Sequence, residues 1–320
     1  MKEGGKVVKL RDARYCNLKL ILVFLVIYGH CIEARIYTSE CLLQQYKFIY
    51  MFHMPLFAFL SGLFLKTEKD CLRQIKKTLP LYLLIQFLAV LLNAIDIFTP
   101  WWILWYLLSY CLWAGFGFLW FRYGKENSKF FFLVISIVLG VLVGCIPWID
   151  RTFSASRTFV FFPYFFIGLI CKQETQWEKY RGYGLLALVL ASVFIILFGS
   201  SISATFLYQA TPFTSIPTGI KLRLLCYLLG GLLGFFVLAF APIKRFPFTR
   251  AGADTMPAYL IHAPLVLIIR EIEISWVMYV VLDALILYVI YKLSQWFNNL
   301  YGIVPSERRD RDVRISRYIH

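Results

Sequence analysis

The chain consists of stretches of about 16–22 apolar residues separated by short polar connectors, a pattern that leaves little choice of fold. A helix rises about 1.5 Å per residue, so each stretch matches a hydrocarbon layer about 30 Å thick. The composition gives the same answer. Of 320 residues, 60% are hydrophobic and 16% charged, against about 45–50% and 25% in a soluble domain. A water-soluble protein would have no interior large enough for this surplus. The expected fold is all-α: a polytopic integral membrane protein of about ten transmembrane helices.

The spans are predicted at roughly 18–36, 46–65, 78–97, 101–121, 130–149, 158–171, 183–200, 219–241, 255–270 and 275–297. The first, long enough to span, reads as a retained signal anchor and not as a cleaved leader. No connector is long enough for a soluble domain. The expected organisation is therefore one transmembrane domain over 1–300 and a basic cytoplasmic tail over 301–320. The formal charge of +15 would point to nucleic acid in a soluble chain. Here the distribution of the charge matters more. All but seven of the 33 lysines and arginines fall on one side of the ten-span map. Short loops rich in these residues stay in the cytoplasm, which places both termini there and excludes a nucleic-acid partner. Trp101, Trp102, Trp105, Trp148 and Trp276 fall at predicted outer span ends, where an indole meets the headgroups. The eight cysteines form no CxxC pair, so neither a disulfide framework nor a metal site is expected.

In such a chain the informative residues are ionisable ones away from the span ends. His30, His53 and His262 all lie within predicted spans, as does Asp283. His30 comes eleven residues after Lys19, about 16 Å into the membrane, and His53 lies about 11 Å from the opposite surface. Counted this way, the three histidines and Asp283 share a level near the midplane. One such histidine is as often a packing hydrogen bond as a catalyst. Three with an aspartate point to a site, because an imidazole kept neutral by burial serves as a base. Eleven residues are also about three turns, so Lys19 and His30 share one face of the first span. Arg73, Lys76 and Lys77 precede the third span. They serve topology or hold the phosphates of a donor. Arg157, at the predicted outer mouth of the sixth span, is a boundary arginine or a contact for an acceptor.

Four stretches together resemble the acyltransferase-3 family of membrane O-acyltransferases, and within it the fucose 4-O-acetylase-like branch. The first is Asn17-Leu18-Lys19 leading to Ile27-Tyr28-Gly29-His30. The second is Phe52-His53-Met54-Pro55-Leu56-Phe57 with Phe59-Leu60-Ser61-Gly62. The third is Leu104-Trp105-Tyr106-Leu107. The fourth is Gly252-Ala253-Asp254-Thr255-Met256 followed by Tyr259-Leu260-Ile261-His262. Much of the family has arginine where this chain has Lys19, which supplies a point charge without the bidentate fork. The extra C-terminal hydrolase-like domain of some members is not expected here.

The resemblance implies transfer of an acyl group, most simply acetyl from cytoplasmic acetyl-CoA, to a hydroxyl of a cell-surface or exopolysaccharide glycan or a lipid-linked sugar. It implies a bacterial inner membrane, no permanently bound cofactor and no metal. His30 and His53 become the expected catalytic pair, with Lys19, Arg73, Lys76 and Lys77 for the donor. His262, Asp283 and Arg157 remain further polar candidates. The competing readings are a polysaccharide or lipid-linked-sugar exporter and a proton-coupled transporter. Both commonly show internal repeats or paired broken helices, and the sequence has neither. A glycan polymerase would need a larger outer loop.

Overall fold

The computed structural model describes residues 13–92, 95–173, 175–253, 255–269 and 274–300, with side chains in the last stretch described as far as 292. The tail at 301–320 and Asp254 of the fourth stretch lie outside the described residues. Among the described residues the fold is all-helical. In chain order the helices are α1 (Ala13–Ile32), α2 (Glu40–Leu63), α3 (Glu68–Leu91), α4 (Trp105–Tyr123), α5 (Lys129–Leu142), α6 (Ala155–Ile170), α7 (Arg181–Phe198), α8 (Ala204–Leu207), α9 (Ile216–Phe240), α10 (Met256–Ile269) and α11 (Trp276–Leu300).

Among the described residues seven helices are long and apolar enough to cross a membrane: α1, α3, α4, α5, α6, α7 and α9, counted with their flanking 3-10 turns. This is a multi-pass membrane protein. The remaining three predicted spans correspond to α2, α10 and α11. In α2, Lys47, His53 and Pro55 dilute the apolar run. Helix α10 has 14 residues, short for a hydrocarbon layer. Helix α11 carries Asp283, and its side chains are described only as far as Lys292. Helix α2 also starts at Glu40, earlier than the apolar pattern alone places it, because its first turn is polar.

The described residues form two compact units, one of residues 13–36 with 242–300 and the other Tyr37–Ala241. In the first, α1 packs on α10, on α11 and on the 3-10 turn Thr249–Ala253. Its apolar window is 67% buried, so α1 is a central helix.

In the second unit α2 and α6 form the most extensive contact, flanked by α3 with α4 and α7 with α9. Two glycines explain how close α2 and α6 come. A methyl on Gly62 would lie 2.0 Å from the Phe165 carbonyl oxygen, and one on Gly168 would lie 1.9 Å from that of Phe59. Each backbone rests where the other helix lacks a side chain, the packing small residues allow where lipid gives helices no hydrophobic reason to associate. Around this seam Trp113, Phe161, Phe165, Phe166 and Leu169 fill the core. Helices α3 and α7 are only 22% buried and turn leucines and phenylalanines outward, as lipid-facing helices do.

Buried cations are settled by helix ends. The Lys47 ammonium donates to the Gly199 carbonyl, 2.7 Å away, at the C-terminus of α7. The Arg223 guanidinium donates to the Gly140 carbonyl, 2.7 Å away, in the last turn of α5. Unsatisfied carbonyls and the negative end of the helix dipole favour a cation at such a point.

Candidate functional site

In the first unit, the Asn17-Leu18-Lys19 stretch and the Gly252-Ala253 stretch meet directly. The Asn17 amide donates to the carbonyls of Pro242 at 2.8 Å and Lys244 at 2.9 Å. Its oxygen accepts from the Thr249 hydroxyl at 2.6 Å, and that hydroxyl accepts from the Phe246 N–H at 2.8 Å. Asn17 thus pins a loop more than 220 residues away in sequence. Gly252 must be glycine, since a methyl there would lie 1.8 Å from the Cys16 carbonyl oxygen. Lys19 donates to the Ala253 carbonyl at 3.3 Å, just before α10 begins.

Three turns along α1, His30 is 16% exposed and its Nδ1 lies 3.2 Å from Glu33 Oε2. The His262 ring from α10 stacks on it, with centroids 5.6 Å apart and planes 17° from parallel. His262 is fully buried; its Nδ1 lies 3.1 Å from the Ala258 carbonyl and its Nε2 has no partner. Tyr259 meets the same ring edge-on at 5.9 Å. Asp283 of α11 is also fully buried, against Tyr28 and Cys31 of α1, and its carboxyl forms no well-made hydrogen bond. Of the four polar residues expected near one level, this unit therefore brings His30 onto His262 and sets Asp283 against the same α1 segment.

His53 belongs to the second unit. Its Nδ1 lies 2.8 Å from the Ile49 carbonyl one turn back, and Tyr50 meets its ring edge-on at 4.6 Å. Tyr46 stacks on Tyr50, with centroids 3.9 Å apart, and donates to or accepts from the Tyr208 hydroxyl at 2.9 Å. Arg157 completes this cluster. Its Nε donates to the Tyr208 carbonyl at 3.0 Å, and its guanidinium lies 4.8 Å over the Trp105 ring. The second and third sequence stretches also meet. Ser61 Oγ and the Tyr106 hydroxyl are 2.6 Å apart, and that hydroxyl donates to the Phe57 carbonyl at 3.2 Å.

Arg73, Lys76 and Lys77 fall on one exposed face of α3, turned away from the buried Cys71 and Thr78. Arg73 pairs with Asp70 at 3.4 Å. Together they form a positive patch on this face of α3.

All three histidines share one chemical arrangement. Each Nδ1 faces an acceptor, so it carries the proton and the lone pair is on Nε2. Nε2 is then the atom able to take a proton or form a bond to carbon. Only His30 has a carboxylate as that acceptor. Glu33 can orient the ring and stabilise the imidazolium that forms when Nε2 takes a proton, the nucleophile–base–orienter logic of acyl transfer. Glu33 was not picked out from the sequence, although its position three residues after His30 puts it on the same helical face. The tyrosine cluster and Asn17's clamp also escaped notice, since their partners are distant in sequence. Among the described residues no three His, Cys, Asp or Glu side chains gather as a metal site.

Comparison with known proteins adds one finding. Neither a curated protein nor a solved structure matches the chain. The family model described as an acyltransferase domain, acyltransferase-3, matches residues 15–296, a stretch that includes nearly all of α1, both glycines of the α2–α6 seam and His30, His53 and His262. The chain belongs to the acyltransferase-3 family and is a membrane acyltransferase.

Proposed function

We propose that this acyltransferase transfers an acetyl group from cytoplasmic acetyl-CoA to a hydroxyl of a surface glycan or lipid-linked sugar in a bacterial inner membrane. The observation that carries the reading is the His30–Glu33 pair with His262 stacked on it, a base with its orienter at the last turn of α1, in a chain of this family. The positive-inside distribution supports ten spans with both termini in the cytoplasm. The four sequence stretches support placement in the fucose 4-O-acetylase-like branch.

In the reaction, His30 Nε2 takes the proton of the acceptor hydroxyl as its oxygen attacks the thioester carbonyl. The tetrahedral intermediate collapses with loss of the CoA thiolate, which takes the proton back from the imidazolium. Glu33 holds the imidazolium through Nδ1 meanwhile. His53 is the second catalytic histidine, a base or a transient acyl carrier. The exposed Arg73, Lys76 and Lys77 patch offers phosphate contacts to the donor, and Lys19 adds positive charge from the second turn of α1.

The test compares O-acyl content of surface glycans, by mass spectrometry and NMR, in native cells, gene-deleted cells, and deleted cells expressing His30→Ala. Acyl groups are expected to disappear in both altered strains while glycan export stays normal. Intact acylation with His30→Ala in stably expressed protein refutes the assignment. Loss of the glycan itself with unchanged acylation of what remains would identify an exporter.

A further inference from the structure

The second unit contains a buried polar site that the histidines do not explain. A partly open cavity of about 20 Å³ lies among Tyr50, Leu207, Gln209, Arg223, Cys226 and Tyr227. That is room for about one water-sized group. Arg223 is 1% exposed and Gln209 5% exposed. Two polar atoms here have no partner: Arg223 Nε, a donor, and Gln209 Oε1, an acceptor. Arg223 makes no ion pair among the described residues. Its charge rests on the Gly140 carbonyl and on the ring faces of Phe213 at 4.9 Å and Phe206 at 5.8 Å. Both residues line the space, and a buried donor and a buried acceptor left without partners are costly.

The backbone is held so as to keep this arrangement. Gln209 has φ 55°, the left-handed region that a glutamine rarely adopts. The turn is fixed from three directions. Ser156 Oγ donates to the Gln209 carbonyl at 2.8 Å, the Gln209 N–H donates to Phe206 at 3.0 Å, and Arg157 Nε donates to the Tyr208 carbonyl. Strain persists where surroundings over-determine it, and commonly where it positions a functional group. Glycine would adopt this turn freely, so glutamine is there for its carboxamide.

We propose that this cavity binds a single hydroxyl, which accepts from Arg223 Nε–H and donates to Gln209 Oε1, and that during acyl transfer the occupant is a hydroxyl of the acceptor. A hydroxyl is the smallest group offering both functions at one oxygen. Tyr50 lines the cavity and meets the His53 ring edge-on, which connects the cavity to a histidine of the proposed reaction. The inference rests on the reading of the protein as an O-acyltransferase.

Two experiments test it. The first is an experimental structure of the full chain resolving ordered solvent, with and without glycerol as probe. We expect one oxygen within hydrogen-bond distance of both Arg223 Nε and Gln209 Oε1, replaced by a glycerol hydroxyl when the polyol is present. An empty cavity, or Arg223 and Gln209 bonded to each other, overturns the site. A water that glycerol never displaces overturns the acceptor role. The second is Gln209→Gly, which relieves the backbone while removing the carboxamide. Cells carrying it are expected to lose at least tenfold of their glycan O-acylation although the purified protein stays folded and monodisperse. Wild-type acylation overturns the proposal. If gene deletion itself leaves O-acylation unchanged, the enzymatic reading fails, and the solvent structure still decides the cavity.

Discussion

Replacing Gly168 by alanine tests whether the α2–α6 seam is as tight as the structure has it. The added methyl would lie 1.9 Å from the Phe59 carbonyl oxygen, 2.8 Å from its carbon and 2.9 Å from the Leu63 nitrogen. All three are backbone atoms, so no side chain can rotate away. Ordinary contact starts near 3.4 Å, and the helices must separate locally by about 1.5 Å. Overpacking of this kind costs about 1–3 kcal/mol, and the upper part of that range applies where backbone must move. For a unit of this size that is a fall of roughly 5–10 °C in Tm. Tryptophan fluorescence of the purified protein in detergent reads the transition. The control is Gly231→Ala on α9, where the new methyl meets nothing within 4 Å. There the only effect is the better helix propensity of alanine, about 1 kcal/mol in favour of the fold. Equal transition temperatures for Gly168→Ala and Gly231→Ala would refute the account of how these helices pack.

Other outcomes follow from the same geometry. Asn17→Ala removes three hydrogen bonds and strands two carbonyls, a loss of about 3 kcal/mol. Asn17→Asp is expected to fail too, because a carboxylate cannot donate to Pro242 and Lys244; wild-type thermal stability of that variant would contradict the clamp. Glu33→Gln is expected to slow acyl transfer by about tenfold or more, a share of the roughly 10²–10⁴ that general-base catalysis supplies, and Glu33→Asp to recover part of it. An unaltered rate with Glu33→Gln would remove Glu33 from the mechanism. Gln209→Gly trades a strained turn costing about 1–3 kcal/mol for one glycine adopts freely, so its Tm is expected to hold or rise. A drop of several degrees would show that the carboxamide, not the turn, stabilises the folded unit.

The sequence carried the helices well where apolar length alone decides, as at α4, α7 and α9, and less well where packing does. Helix α2 is the example. The apolar pattern finds it at 46–65 but misses its polar first turns from Glu40, and what makes it a buried helix is the seam with α6 and the Gly199 carbonyl that meets Lys47. At the site, counting residues from Lys19 puts His30 about three turns further on; the structure places it in the last turn of α1 and adds what counting cannot reach. The His262 ring stacked on it comes from α10, and Glu33 matters through the tautomer it imposes. Arg157 shows the limit most plainly. Its position suggested either a boundary or an acceptor contact, but its partners, Trp105 and Tyr208, lie about 50 residues away on either side. Such contacts leave no local pattern to read.

The division of the first unit between the two ends of the chain has a consequence during synthesis. Helix α1 is made first, yet everything it packs on in its own unit is encoded after residue 241. At about 5–20 residues per second, translation of the intervening 37–241 segment takes roughly 10–40 s. For that interval α1 sits in the membrane with Asn17, Lys19 and His30 unmet by their later partners. The contacts of the intervening helices with one another lie within 37–241, so those helices can assemble in the meantime. A ribosome stalled near residue 241 should therefore expose a nascent chain whose α1 is open to cross-linking by insertion factors or chaperones while the middle is already protected. Release of α1 would come only when the loop carrying Thr249 and Gly252 emerges to close on it.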